Sequence, residues 1–223
     1  MIKIYVDLDH NIPRYVCTSC SSCDSLIGKS FCKVKNRGCC WYFPKFTLID
    51  IQRMTKTPEG LQTLNRIISS PHTQIYNYFI HAKGFFDESE YKKYIDGNML
   101  PEVDYLEDYT IFFRSCPFVE SGKGCTLPPR HRTFVCNFFL CKEISEIAES
   151  HKLFQIYKEE SIRYSRWIDW ENENLRHFFS QKKLTLQSNF QEVIEELKEL
   201  ELSQYEFPCF EPIILDESWY RGS

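Results

Sequence analysis

A mainly α-helical domain with a few short strands, organised around a cysteine-ligated metal centre, is what this sequence predicts, on three observations. Apolar residues recur at helical spacing through much of the second half, as at Ile144, Ile147, Ala148, Phe154, Tyr157 and Ile162. Apolar–polar alternation is confined to short stretches, chiefly Ile2, Ile4, Val6 and Leu8. Ten of the 11 cysteines fall into two groups, one at Cys17, Cys20, Cys23, Cys32, Cys39 and Cys40, the other at Cys116, Cys125, Cys136 and Cys141. Only Cys209 stands apart.

With 223 residues the chain can bury a core without cross-links. Its 43% hydrophobic and 16% aromatic content reads as globular rather than disordered. One domain, 1–223, is the simplest organisation: a metal-binding core over about 15–142, C-terminal helices over 143–203 and an extended tail over 204–223.

Along the chain, Ile2 to Leu8 predicts a short strand, and residues 11–45 a loop without helical period. Thr47 and Asp50 have the spacing of a capping box and open a helix running through Met54. Thr57 before Pro58 caps the next helix, with Leu61, Leu64, Ile67 and Ile68 on one face, and Pro71 ends it. Further helices are expected over 73–82 and 88–95. The β-branched and aromatic run Tyr109–Phe113 reads as a strand. Helical spacing resumes after Cys141 and continues through Trp167 and Trp170 to Phe179. Ser188 and Gln191 form a second capping box before the amphipathic face Phe190, Val193, Ile194, Leu197 and Leu200.

A formal net charge of -4 argues against general nucleic-acid binding, which favours a basic excess. Asp7 interrupts the N-terminal apolar segment where a secretory core would continue, and no apolar run of ~18 residues suggests a membrane span. The expected location is the cytoplasm. In a reducing compartment, clustered cysteines are more often metal ligands than structural disulfides.

The first group contains Cys17-x2-Cys20-x2-Cys23, a spacing that lets a turn aim sulfurs at one ion. It suits a closed zinc site and equally the ferredoxin type of iron–sulfur ligation, as a 4Fe-4S cluster were Cys116-Pro117 to complete the set. Cys39-Cys40 is a vicinal pair whose side chains point apart, so the two thiols either serve different sites or only one ligates. The second group has gaps that match no ordinary zinc finger.

Cys39-Cys40 followed by Phe46-Thr47-Leu48-Ile49-Asp50-Ile51-Gln52-Arg53-Met54, then Cys116-Pro117-Phe118-Val119, Gly124-Cys125, Arg132-x3-Cys136 and Cys141, resemble the YkgJ family. This is the CxxCxxCC cysteine-cluster family, described as zinc- or iron-chelating. The likeness covers roughly residues 15–142 through separated motifs. The N-terminal run here is not contiguous, and Thr133 and Leu140 stand where the family has prolines. A looser similarity links the chain to the flagellin lysine-N-methylases, which implies an alternative function: a protein-modifying enzyme with a catalytic or redox iron–sulfur cluster.

His131 is either a nitrogen ligand or, on the plainer view, a partly exposed residue of a basic loop with Arg130 and Arg132. Trp41, Tyr42 and Phe43 would shield a metal or simply pack. No G-x-G-x-x-G, P-loop, G-x-S-x-G, HExxH or C-x3-C-x2-C motif is present. The function expected is therefore a cytoplasmic protein binding zinc or an iron–sulfur cluster. Its metal ligands are Cys17, Cys20, Cys23, Cys39, Cys40, Cys116, Cys125, Cys136 and Cys141. Besides the metal, a protein partner or substrate is open; nucleic acid and membrane are not expected.

Overall fold

The computed structural model describes residues 1–20, 25–103 and 105–215. In chain order it contains β1 (Ile2–Asp9), β2 (Ile12–Cys17), β3 (Lys45–Thr47), α1 (Leu48–Thr55), α2 (Pro58–Ile68), β4 (Thr73–Ile75), β5 (Phe79–Ala82), β6 (Phe85–Phe86) and α3 (Glu88–Asp96). There follow β7 (Arg114–Ser115), β8 (Val119–Glu120), β9 (Gly124–Cys125), α4 (Phe134–Asn137), α5 (Lys142–Ala148), α6 (Lys152–Gln181), α7 (Phe190–Glu199) and β10 (Ile213–Leu215).

The mainly α expectation is wrong. The fold is mixed, 43% helix and 17% strand, with four small sheets among the described residues. Most of these strands are two or three residues long, too short to display a period of two. Residues 73–82 form the antiparallel pair β4–β5, not a helix. Their Thr, Ile, Tyr and Phe content suits a pleated surface, and the Tyr76 N–H donates to the Phe79 carbonyl (2.9 Å) to close the turn. Tyr109–Phe113 is a 3-10 helix rather than a strand, started by Asp108, whose carboxylate accepts the Thr110 N–H (3.1 Å).

Two further expectations need correction. Within 11–45, residues 12–17 are β2, paired with β1 from Ile4↔Cys17 to Asp9↔Ile12. The tail contributes β10, which adds to the other edge of β1 through Ile4↔Ile213, giving the order β10-β1-β2. Both pairings lie far apart in sequence or within a loop-like composition, where local pattern is silent.

The helix starts follow the sequence more closely. The Thr47 N–H donates to Asp50 Oδ2 (2.9 Å) at the head of α1, and Thr57 Oγ1 accepts from the Gly60 N–H (3.0 Å) at the head of α2. The box expected at Ser188 is absent; α7 starts from Asn189 without a side-chain cap.

Apolar burial splits into two cores. The first joins α1, α2, the sheet β3-β5-β4, α7 and the second half of α6 through Phe46, Ile49, Ile67, Ile80, Phe179 and Leu197. The second joins the β10-β1-β2 sheet, the 3-10 turn and α5 through Ile4, Phe112, Phe113, Ile144 and Ile213. Helix α6 spans both: Phe154 and Tyr157 enter the second core, Tyr164, Ile168, Leu175 and Phe179 the first. Each such fully buried side chain contributes roughly 1.5–3 kcal/mol. Among the described residues, no helix is long and apolar enough to cross a membrane.

Candidate metal centre

Four cysteines from three separated segments, Cys40, Cys116, Cys125 and Cys136, lie near one another, with Cys116 and Cys125 packed against the first core. Cys40 ends a turn in which the Arg37 carbonyl accepts the Cys40 N–H (3.3 Å). The Cys40 carbonyl in turn accepts the Cys116 N–H (2.9 Å), which clamps the two cysteine groups of the sequence together. Past Cys116 the chain turns through Pro117, and the hairpin β8–β9 pairs Val119 with Cys125, returning Cys125 toward Cys116. Arg132 then donates to the carbonyls of Leu127 (2.8 Å) and Cys125 (3.3 Å), drawing in the segment that carries Cys136.

Three of the four thiols are shifted upward, each in part by a neighbouring sulfur. Burial pushes the Cys116 thiol well above its ordinary range, and Cys125, Cys136 and Cys40 push it further. Cys136 is pushed up to about 11, chiefly by burial, with Cys125 and Cys40 adding and the Thr133 hydroxyl (3.5 Å from its sulfur) opposing. Cys40 is raised by burial and by Cys125, against the nearby charges of Arg132 and Arg37. Repulsion between neighbouring thiolates disfavours the charged form, so crowded sulfurs hold on to their protons. A metal that binds such thiols must displace those protons.

The sulfurs are neighbours without being a closed ligand shell. Among the described residues, no group of three or more His, Cys, Asp or Glu is spaced to hold a metal ion. The donor set itself, four thiols and no carboxylate, is of the kind that suits zinc or an iron–sulfur cluster rather than magnesium or calcium.

The remaining cysteines divide cleanly from these. Cys17, Cys39 and Cys141 pack on the second core, with Cys17 at the end of β2 and Cys141 at the head of α5. Segments near them are held together by Trp41 lying edge-on to Phe139 (6.3 Å) and by Ser25 donating to Glu143 (2.9 Å). The vicinal pair therefore faces two ways, Cys39 toward the second core and Cys40 toward the thiols beside the first. Cys20 is exposed, Cys23 lies outside the described residues, and Cys32 is fully buried with its sulfur 3.2 Å from the Ser30 hydroxyl.

His131 is buried, not partly exposed, and its Nδ1 meets the Thr63 hydroxyl (3.1 Å). Arg130 pairs with Asp9 and Glu59 instead of meeting sulfur. Tyr42 lies near both Cys136 and Asp50, and burial raises its hydroxyl first, with those two charges adding. Arg37 escaped the sequence reading. Between Asn36 and Gly38 in a lysine-bearing loop it resembles a solvated residue, and its closeness to Cys39 is the sole signal in the sequence. Compared with family models, with curated proteins and with solved structures, the chain matches none.

Proposed function

We propose that this protein binds a metal through cysteine thiolates, as zinc or as an iron–sulfur cluster, with Cys40, Cys116, Cys125 and Cys136 as the principal ligands. One observation carries the reading: Cys125 lies close enough to Cys40, Cys116 and Cys136, which come from separate segments, for its charge to raise the pKa of each. Evolution of an ordinary core gives no reason to gather four titratable sulfurs, since apolar side chains fill such space without mutual repulsion. The likeness to the YkgJ family supports the same reading.

Bound metal would supply a cross-link between the loop before β3 and the segment from β7 to α4. In a closed four-sulfur zinc site that role is structural, because no coordination position stays open. An iron–sulfur cluster would add electron transfer or sensing. Cys17, Cys39 and Cys141, with Cys20 and Cys23 nearby in sequence, are the candidate ligands of a second centre.

Anaerobic purification followed by metal and sulfide analysis tests the proposal. Stoichiometric zinc, or iron with sulfide and absorption near about 400 nm, is the expected result. A folded chain that takes up neither metal on reconstitution would overturn it.

A further inference from the structure

A cavity of about 640 Å³ lies between the β4–β5 turn, α6, the head of α1 and the loop that leads to α7. That volume is in the range of small-molecule sites. No cysteine lines it.

Its walls are held from behind. Along α6, Ile168, Glu171, Leu175 and Phe179 are buried, and Asp169, Asn172, Glu173 and Arg176 share the neighbouring stripe. Asn172 Oδ1 accepts the Ile49 N–H (3.0 Å), one of the donors that the first turn of α1 leaves without a helical partner. The Asn77 carbonyl accepts the Leu186 N–H (2.9 Å), and Leu186 is 1% exposed, so the turn and the loop carrying Gln187 are tied to each other and to the core. The Tyr76 ring stacks on Phe79, with 4.5 Å between centroids and 12° between planes. One face of Tyr76 is thereby covered, and 38% of the residue stays exposed.

The side chains here are donors and acceptors more than charges. Asn77, Asp169 and Gln187 make no side-chain hydrogen bond or ion pair among the described residues, and Asn172 uses its oxygen on Ile49 while keeping its NH2 donors. Glu173 pairs with Arg176 (2.9 Å), whose guanidinium lies over Tyr78 (5.6 Å). The cation that a phosphate would need is therefore already neutralised. Nor is the turn an open sheet edge for a peptide, since the Tyr76 N–H and the Asn77 carbonyl are taken by Phe79 and Leu186. A neutral polyol ring suits these groups. Its adjacent hydroxyls both donate and accept, which matches amides and a carboxylate side by side, and its C–H face meets the negative face of an aromatic ring.

We propose that this cavity binds a neutral sugar, with Tyr76 as the stacking platform and Asn77, Asp169, Asn172 and Gln187 bonding its hydroxyls. The test uses the full-length chain and a panel of glucose, galactose, mannose, xylose and N-acetylglucosamine, with inorganic phosphate and tetramethylammonium as charged comparators. Saturation-transfer NMR finds binders and calorimetry gives Kd. At least one sugar should bind with a Kd of about 1 mM or tighter, ahead of both comparators. Tyr76→Ala and Asp169→Ala should each weaken it by about 10-fold, whereas Tyr76→Phe, which keeps the ring, should not. Trp170→Ala changes the next residue of α6, 61% exposed and outside the lining, and should leave Kd unaltered. Tyr76, Asp169 and Trp170 are all exposed, so these variants should fold as wild type by circular dichroism. Should Tyr76→Ala fail to fold, Asp169→Ala decides. No binding of any panel sugar at about 10 mM overturns the proposal. So does affinity retained undiminished by a folded Tyr76→Ala or Asp169→Ala protein, or a comparator bound more tightly than every sugar. None of these readouts depends on the thiols, so the metal-binding reading stands or falls separately.

Discussion

A methyl group added at Gly84 would have no room. An ideal Cβ there lies 2.0 Å from the Ser115 carbonyl oxygen, 2.8 Å from the Phe43 ring and 2.9 Å from Pro117 Cδ. The oxygen cannot swing away, because Ser115 is paired with Phe85, and Arg114 with Phe86, in the β6–β7 ladder. Relief requires moving the backbone around 115–117 by about 1 Å or more to reach ordinary van der Waals separation. Overpacking of this kind costs roughly 1–3 kcal/mol. For a chain of this size each kcal/mol lowers Tm by about 2–4 °C, so Gly84→Ala should melt roughly 2–12 °C below wild type. The same displacement moves Cys116, whose N–H is bonded to the Cys40 carbonyl, and so should weaken cobalt binding as well. Urea denaturation followed by tryptophan fluorescence gives the first quantity, and cobalt titration the second. A variant within about 0.5 kcal/mol of wild type, the range of an innocuous surface change, and with unaltered cobalt affinity would refute the idea that this tight contact sets the position of Cys116.

Three other outcomes follow from named contacts. The Arg53–Asp50 ion pair is 7% and 5% exposed, so Asp50→Ala should cost about 3–5 kcal/mol for the stranded cation and about 1 kcal/mol for the lost helix cap. The double variant Asp50→Ala/Arg53→Met should be milder than the sum of the single costs; simple additivity in denaturation experiments would rule out the pairing argument. Burial, with the Arg130 charge adding, lowers the His131 pKa below its ordinary 6.5. The unfolded chain then binds the proton more readily, so this contribution to stability is complete above about pH 6.5 and declines as pH falls toward the folded value. His131→Gln should flatten the fall in stability between about pH 7 and pH 5; an unchanged slope contradicts the assignment. Cys136→Ser should lose metal and cooperative folding together, whereas Cys209→Ser, at an exposed site, should alter neither by circular dichroism and metal analysis.

Local signals in the sequence reached the helix starts and not the sheet. Thr47–Asp50 and Thr57–Pro58 act within four residues of themselves, so α1 and α2 were legible. Ile4 pairing with Ile213 is a contact across nearly the whole chain, and nothing in either segment names the other. The strands β6 to β9 have two residues each, so tertiary pairing rather than pattern makes them strands. At the candidate site the cysteines themselves were visible, and so was the division of labour open to Cys39 and Cys40. Which thiols group together was not, because it depends on the hairpin that returns Cys125 to Cys116 and on the two cores that separate Cys39 from Cys40. Burial likewise decides the role of His131, which looks like a surface residue in a basic loop.

The most direct measurement is the metal and sulfide content per chain of anaerobically prepared wild type beside Cys40→Ser, Cys116→Ser, Cys125→Ser and Cys136→Ser. The account predicts stoichiometric metal in the wild type and loss of that metal in each of the four. Native protein that stays metal-free on reconstitution, or four variants that all retain the wild-type content, would contradict it.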